Sequence, residues 1–150
     1  MNLLFDTNII LQVTRKEGGL ELLKKLNPDD QLIYISFVNV AEIQSIAYRK
    51  GWNEVKSGRL ETFLNIVRVI DISDILLPSY VGIDAYSQRN HPDYTHYPFR
   101  TPRNMGKNDL WIAATASLLN LELVTTDGDF DHLQDSFLNL RKITPAFFQP

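Results

Sequence analysis

The chain has no cysteine among its 150 residues, which excludes disulfide frameworks, thiol catalysis and cysteine-bound zinc. Its three histidines, His91, His96 and His132, are scattered among loop signals without metal-ligand spacing and read as surface residues. Long hydrophobic runs are missing too. The best are Leu3–Phe5, Leu32–Ile35 and Ile75–Leu77, far short of the roughly 20 residues that cross a bilayer. The start carries no basic leader, and Asp6 interrupts its apolar residues, so a secretory signal is not expected and the cytoplasm is the expected compartment. Positive charge is not in excess: the net charge of −3 argues against gripping nucleic acid by bulk charge, though it leaves room for a local basic patch. Nor is there a glycine-rich phosphate cradle, because Gly18-Gly19 follows no strand and lacks the required spacing.

What is present describes one ordinary domain spanning 1–150, without repeats or linker-like stretches. A chain of this length buries roughly 70% of its unfolded surface in a single core. Short apolar runs at Asn2–Phe5, Gln31–Ser36, Val67–Ile72, Glu122–Thr125 and Asn139–Ile143 read as strands covered on both faces. Helical patterns alternate with them at Gly19–Leu26, Phe37–Lys50, Asn53–Ile66, Ser73–Ser87 and Lys107–Asn120, with Pro78 marking the true start of the fourth. The alternation predicts an α/β fold, a three-layer α/β/α domain around a mostly parallel sheet of about five strands. Asn90–Gly106 fits neither period. It is a long loop in which Arg100 and Arg103, with Arg89 and Lys107 beside it, face only Asp93, and Tyr94, Tyr97 and Phe99 are interleaved.

The informative residues are acids where burial makes acids costly. Asp6 follows the first strand, at the sheet edge where ligands of open parallel sheets bind, although an Asp there also caps the next helix well. Glu42 shares a helical stripe with Val38 and Ile46, so it must be paired, protonated or coordinated to a metal. Asp109 lies on the same face as Ile112, Ala113 and Ala116, whereas a helix-dipole role alone would leave it facing solvent. Asp127 ends the strand Leu123-Val124-Thr125 and, with Gly128, also makes a turn signal. In a parallel sheet all four converge at one edge. Two unit charges about 4 Å apart repel by about 4 kcal/mol at an effective dielectric of about 20, so such a cluster needs a cation. Oxygen donors without His or Cys suit Mg²⁺ or Mn²⁺, and hence phosphoryl chemistry.

These residues resemble the PIN domain, and in particular a VapC-type ribonuclease toxin of a bacterial toxin–antitoxin pair. The resemblance is carried by Leu4-Phe5-Asp6-Thr7-Asn8, by Ile35-Ser36 through Val40-Ala41-Glu42-Ile43, by the run from Gly106 to Ala116, and by Leu123 to Phe130. It implies that Asp6, Glu42, Asp109 and Asp127 are catalytic metal ligands, that Asn8 and Thr125 support them, and that Asn108 and Asp129 are supporting or alternative ligands. It further implies single-stranded or loop RNA as substrate, cut by a metal-activated water to leave a 5′-phosphate and a 3′-hydroxyl, with a homodimer and a cognate antitoxin as partners. The long loop departs from compact members of the family. Its basic and aromatic side chains, Arg100, Arg103 and Lys107 among them, suit RNA phosphates and unstacked bases; the alternative is a lid or a dimer contact. Trp111 is expected in the core rather than against a base. A haloacid-dehalogenase-like phosphatase is disfavoured because Asn8 stands where its second Asp belongs. Two alternatives stay open: a PIN nuclease of RNA processing or repair without an antitoxin, and an inert PIN module that binds RNA or a partner.

Overall fold

The computed structural model describes residues 1–15 and 17–149. Five strands form one sheet: β1 (Leu3–Phe5), β2 (Ile33–Ser36), β3 (Arg68–Ile70), β4 (Glu122–Thr125) and β5 (Asn139–Lys142). All neighbours are parallel, in the order β3-β2-β1-β4-β5, with Leu3 opposite both Ile33 and Glu122 and Thr125 opposite Lys142. The helices are α1 (Thr7–Thr14), α2 (Gly19–Leu26), α3 (Phe37–Lys50), α4 (Glu54–Ile66), α5 (Leu77–Ser87) and α6 (Lys107–Leu119).

Period-2 alternation in the central strands divides the core in two. Leu3, Phe5, Ile33, Ile35 and Val124 pack with Ile9, Ile10, Leu26 and Phe63 on one face, under α1, α2 and α4. Leu4 and Leu123 pack with Ile83, Tyr86, Ile112 and Phe130 on the other, under α5 and α6. This is the expected three-layer α/β/α arrangement. The chain runs from β1 outward through β2 to β3, then returns to the opposite side of β1 as β4. The carboxyl ends of β1 and β4 therefore flank a topological switch point, where parallel sheets open a crevice.

Local chemistry sets the helix ends that matter. Ser36 caps α3 by accepting from Val38 N–H, Asn39 reciprocates by accepting from Ser36 N–H at 2.8 Å, and Gly51 closes the helix at φ +61°, a conformation glycine adopts without penalty. Pro78 lies in the first turn of α5, as expected, but the stretch before it, Asp74–Leu76, is a 3₁₀ turn rather than the opening of a longer helix. The outer strands differ from the reading of fully covered strands: β3 is an edge strand with Arg68 and Val69 exposed, and β5 is only half-buried. No helix among the described residues is long and apolar enough to cross a membrane.

Candidate metal centre at the switch point

Asp6 is the first residue after β1, and it caps the helix that follows, one of the two roles the sequence offered. Its Oδ1 accepts the Thr7 N–H at 2.8 Å, capping α1, while Oδ2 accepts the Thr125 hydroxyl at 2.7 Å across the switch point. Thr125 is fully buried and its Oγ1 also accepts the Asp127 N–H at 3.0 Å, so one hydroxyl ties the ends of β1 and β4 together. Asp127 then accepts Asp129 N–H at 2.9 Å and starts the 3₁₀ turn Gly128–Leu133. On the facing helix, Asp109 occupies the first turn of α6. Carboxylate oxygens of Asp109, Asp127 and Asp129 lie within 4.8 Å of one another.

Glu42 reaches the centre from α3. Its Oε1 accepts the Thr7 hydroxyl at 3.1 Å, and Thr7 in turn accepts from Asn39 Nδ2 at 3.0 Å. With the Ser36–Asn39 bond this makes a relay, Ser36–Asn39–Thr7–Glu42, in which every member before Glu42 is buried. Such a chain holds a carboxylate in one rotamer.

The electrostatics are those of one crowded group. Burial is the main force raising the pKa of Asp6; the Thr125 and Thr7 bonds oppose it and Asp127 adds to it. Burial also raises Glu42, against the Thr7 hydroxyl and the Asn108 side chain, with Asp6 adding repulsion. Asp109 is pushed up to about 7, first by burial and then by Asp6, Asp127, Asp129 and Glu42 together. The ion pairs among the described residues, Arg141–Glu122 and Lys142–Asp131, neutralise none of these five acids. Donors that are all oxygen, crowded and without a cationic side chain fit a hard divalent cation.

Of the residues singled out from sequence, Asp6, Glu42, Asp109 and Asp127 converge here, with Thr125, Asn108 and Asp129 beside them. Asp129, expected as a supporting or alternative ligand, stands within the tight group. Asn8 does not join it in the same way: it is exposed on α1 and makes no hydrogen bond to the acids among the described residues. The buried polar support comes instead from its neighbour Thr7 and from Asn39. Asn39 lies one turn before Glu42 on the same face of α3.

The long loop differs from expectation in its aromatics. Tyr94, Tyr97 and Phe99 surround the fully buried Tyr86 ring at 4.8, 5.3 and 5.4 Å, joined by Phe137 at 5.0 Å, so they fasten the loop to α5 and are not free to stack bases. His132 is likewise buried, not a surface residue. It hydrogen-bonds Ser87 Oγ at 2.7 Å, and burial lowers its pKa to about 4, helped by Arg103. Trp111 is half-buried and packs against the edge of the core, its ring 4.5 Å from that of Tyr80. Arg100, Arg103 and Lys107 stay exposed; the Arg103 backbone N–H donates to Ser87 O at 2.7 Å and its guanidinium lies 5.7 Å from the Phe99 ring centre.

An all-parallel α/β/α domain with an acid-lined crevice at its switch point has the oxygen donors to hold a hard cation. The chain belongs to the PIN-domain family, whose pattern matches residues 3–135. No curated protein shows a significant sequence match. Among solved structures, the chain is similar to VapBC2 from Rickettsia felis, bound to a DNA fragment from its promoter (TM-score 0.74, 23% identity, 95% of this chain and 98% of that one). It is also similar to FitAcB from Neisseria gonorrhoeae (TM-score 0.66, 24% identity, 92% and 95%). A third is VapBC-5 from Mycobacterium tuberculosis, a member of the VapBC family of toxin–antitoxin systems (TM-score 0.61, 18% identity, 95% and 98%). At these identities the likeness establishes the fold.

Asp109 keeps its proton to higher pH in the folded chain than the usual 3.8, so its ionisation erodes folded stability as pH rises from about 4 to about 7. His132 acts oppositely: held neutral down to about 4, it adds stability as pH rises from there through its usual 6.5. Comparing wild type with Asp109→Asn isolates the acid. In EDTA, the melting-temperature advantage of Asp109→Asn should widen from about pH 4.5 to pH 7.5, and Mg²⁺ should raise the wild type selectively. A constant difference across that range would show that burial and the neighbouring acids do not raise Asp109.

Proposed function

We propose that the chain is a single-domain, Mg²⁺- or Mn²⁺-dependent endoribonuclease, the toxin of a bacterial toxin–antitoxin pair, cutting single-stranded or loop RNA to leave a 5′-phosphate and a 3′-hydroxyl. The observation that carries this reading is the meeting of Asp109, Asp127 and Asp129 within 4.8 Å, with Asp6 and Glu42 in the same electrostatic field. Membership of the PIN-domain family and similarity to structures described as toxin–antitoxin complexes support it. A cognate antitoxin, a homodimer and a cytoplasmic location belong to the same proposal.

Asp109, Asp127 and Asp129 would hold the ion, with Asp6 and Glu42 completing its surroundings. When bound, it supplies Lewis-acid polarisation of a phosphodiester and a more acidic water. The protein supplies the order. Thr125 fixes Asp6 relative to Asp127. Thr7 and Asn108 hold Glu42 beside the acids, where its carboxylate would take the proton of an attacking water. Lys107, two residues before Asp109 at the start of α6, is exposed and offers its charge to a backbone phosphate. Arg100 and Arg103 extend that cationic edge from a loop pinned by the Tyr86 cluster, and they serve phosphates, not bases.

Purified wild type should cut RNA with Mn²⁺, EDTA should abolish the cutting, and Asp6→Asn or Asp109→Asn should each lower the rate roughly a hundredfold or more. Equal, EDTA-insensitive cleavage by all three would refute the metal-nuclease reading. The loop is tested separately by RNA binding in EDTA across a salt series. Arg100→Ala/Arg103→Ala should weaken binding and flatten the dependence of log affinity on log salt by about 1.4, two contacts at about 0.7 each for a single strand. An unchanged slope removes these arginines from the interface.

A further inference from the structure

A cavity of about 310 Å³ opens beside the acids between α3 and α6, lined by Ala41, Glu42, Ser45, Ile46, Arg49 and Asn108. It is open to solvent along its length, so a strand of nucleic acid could lie in it without displacing the protein. Its lining has a direction. Glu42, Ser45, Ile46 and Arg49 recur at helical spacing on one stripe of α3, so the cavity runs along that helix from the acid centre to Arg49, about 10 Å along the axis. Across from them stands Asn108, next to Asp109 on α6. Glu42 and Asn108 thus belong to both the metal centre and the cavity, and a strand engaged at the centre continues into it.

The far end is cationic. A basic residue in the last turn of a helix is favoured by the dipole alone, and Arg49 and Lys50 both qualify; only Arg49 lines the cavity. Arg49 makes no ion pair with an acid among the described residues. Its planar fork suits bidentate recognition of phosphate. Between the ends, Ser45 offers a hydroxyl, and Ala41 and Ile46 offer apolar surface to a ribose or a base edge. No aromatic ring lines the space, so stacking contributes nothing and the contact is indifferent to base identity.

We infer that this cavity is a nucleotide subsite of the RNA strand, in which Arg49 holds a backbone phosphate adjacent to the one being cut. The inference rests on the ribonuclease reading and adds to it a second phosphate contact, on the side of the centre formed by α3. It makes Arg49 a residue that sets substrate length rather than sequence.

The test is steady-state cleavage, with Mn²⁺, of mixed-sequence oligoribonucleotides lengthened one nucleotide at a time on each side of the cut. Wild type should show a drop in KM at the one added nucleotide that reaches the cavity. Arg49→Gln should erase that step, about tenfold in KM, with little change in kcat for longer substrates; Arg49→Lys should restore it in part, and Lys50→Gln should match wild type. A KM step that survives in Arg49→Gln, or a uniform fall in kcat at every length, overturns the subsite. A change in sedimentation from dimer to monomer on Arg49→Gln also overturns it, by making the cavity a contact between two copies of the chain. Wild type that cuts none of the series overturns the nuclease reading itself, a result distinct from the loss of the subsite alone.

Discussion

Mutual repulsion among carboxylates is the constraint around which this domain is arranged. Asp6, Glu42, Asp109, Asp127 and Asp129 come from three separate stretches of secondary structure and a turn, and burial and proximity raise the pKa of the first three. Left to itself such a group would splay apart. It is held by neutral donors: Thr125 bonds Asp6 and takes the Asp127 N–H, and Ser36, Asn39 and Thr7 lead to Glu42. None of these partners is a cation that would satisfy the charge. Asp6, Glu42 and Asp127 are therefore fixed in place, and the group is still in need of positive charge, a condition that favours a divalent ion.

The topology explains why the acids can meet at all. Because β4 returns beside β1, the two strands diverge to opposite sides at their carboxyl ends, and the residues following them face the same opening. The amino end of α6 closes one side and α3 the other. Exposed cationic side chains sit on two segments adjoining the elements that carry the acids. One is the loop before α6, anchored through Tyr86, Ser87 and His132; the other is the end of α3, with Arg49.

The acids were legible in the sequence because each broke a pattern: Glu42 and Asp109 interrupt apolar stripes, and Asp6 and Asp127 end apolar strands. The alternation of strands and helices carried the layer order for the same reason, since periodicity records which face is buried. Thr7 and Asn39 were not legible. A polar residue in the first turn of a helix reads as ordinary capping, and only the fold shows that the bonds continue to Glu42. The loop aromatics and His132 were misread because an irregular segment has no period, so the sequence carries no sign of what its rings pack against. Edge position escaped as well: the apolar run around β3 looks like a central strand, and exposure there follows from strand order.

Direct binding of Mn²⁺ in the absence of RNA, followed by electron paramagnetic resonance, tests the central claim with no assumption about substrate. Wild type should take up the ion at neutral pH, and Asp109→Asn/Asp127→Asn should lose it while keeping the native circular dichroism spectrum. Undiminished binding by the double variant, or a wild type that takes up no ion at millimolar concentration, would contradict the account.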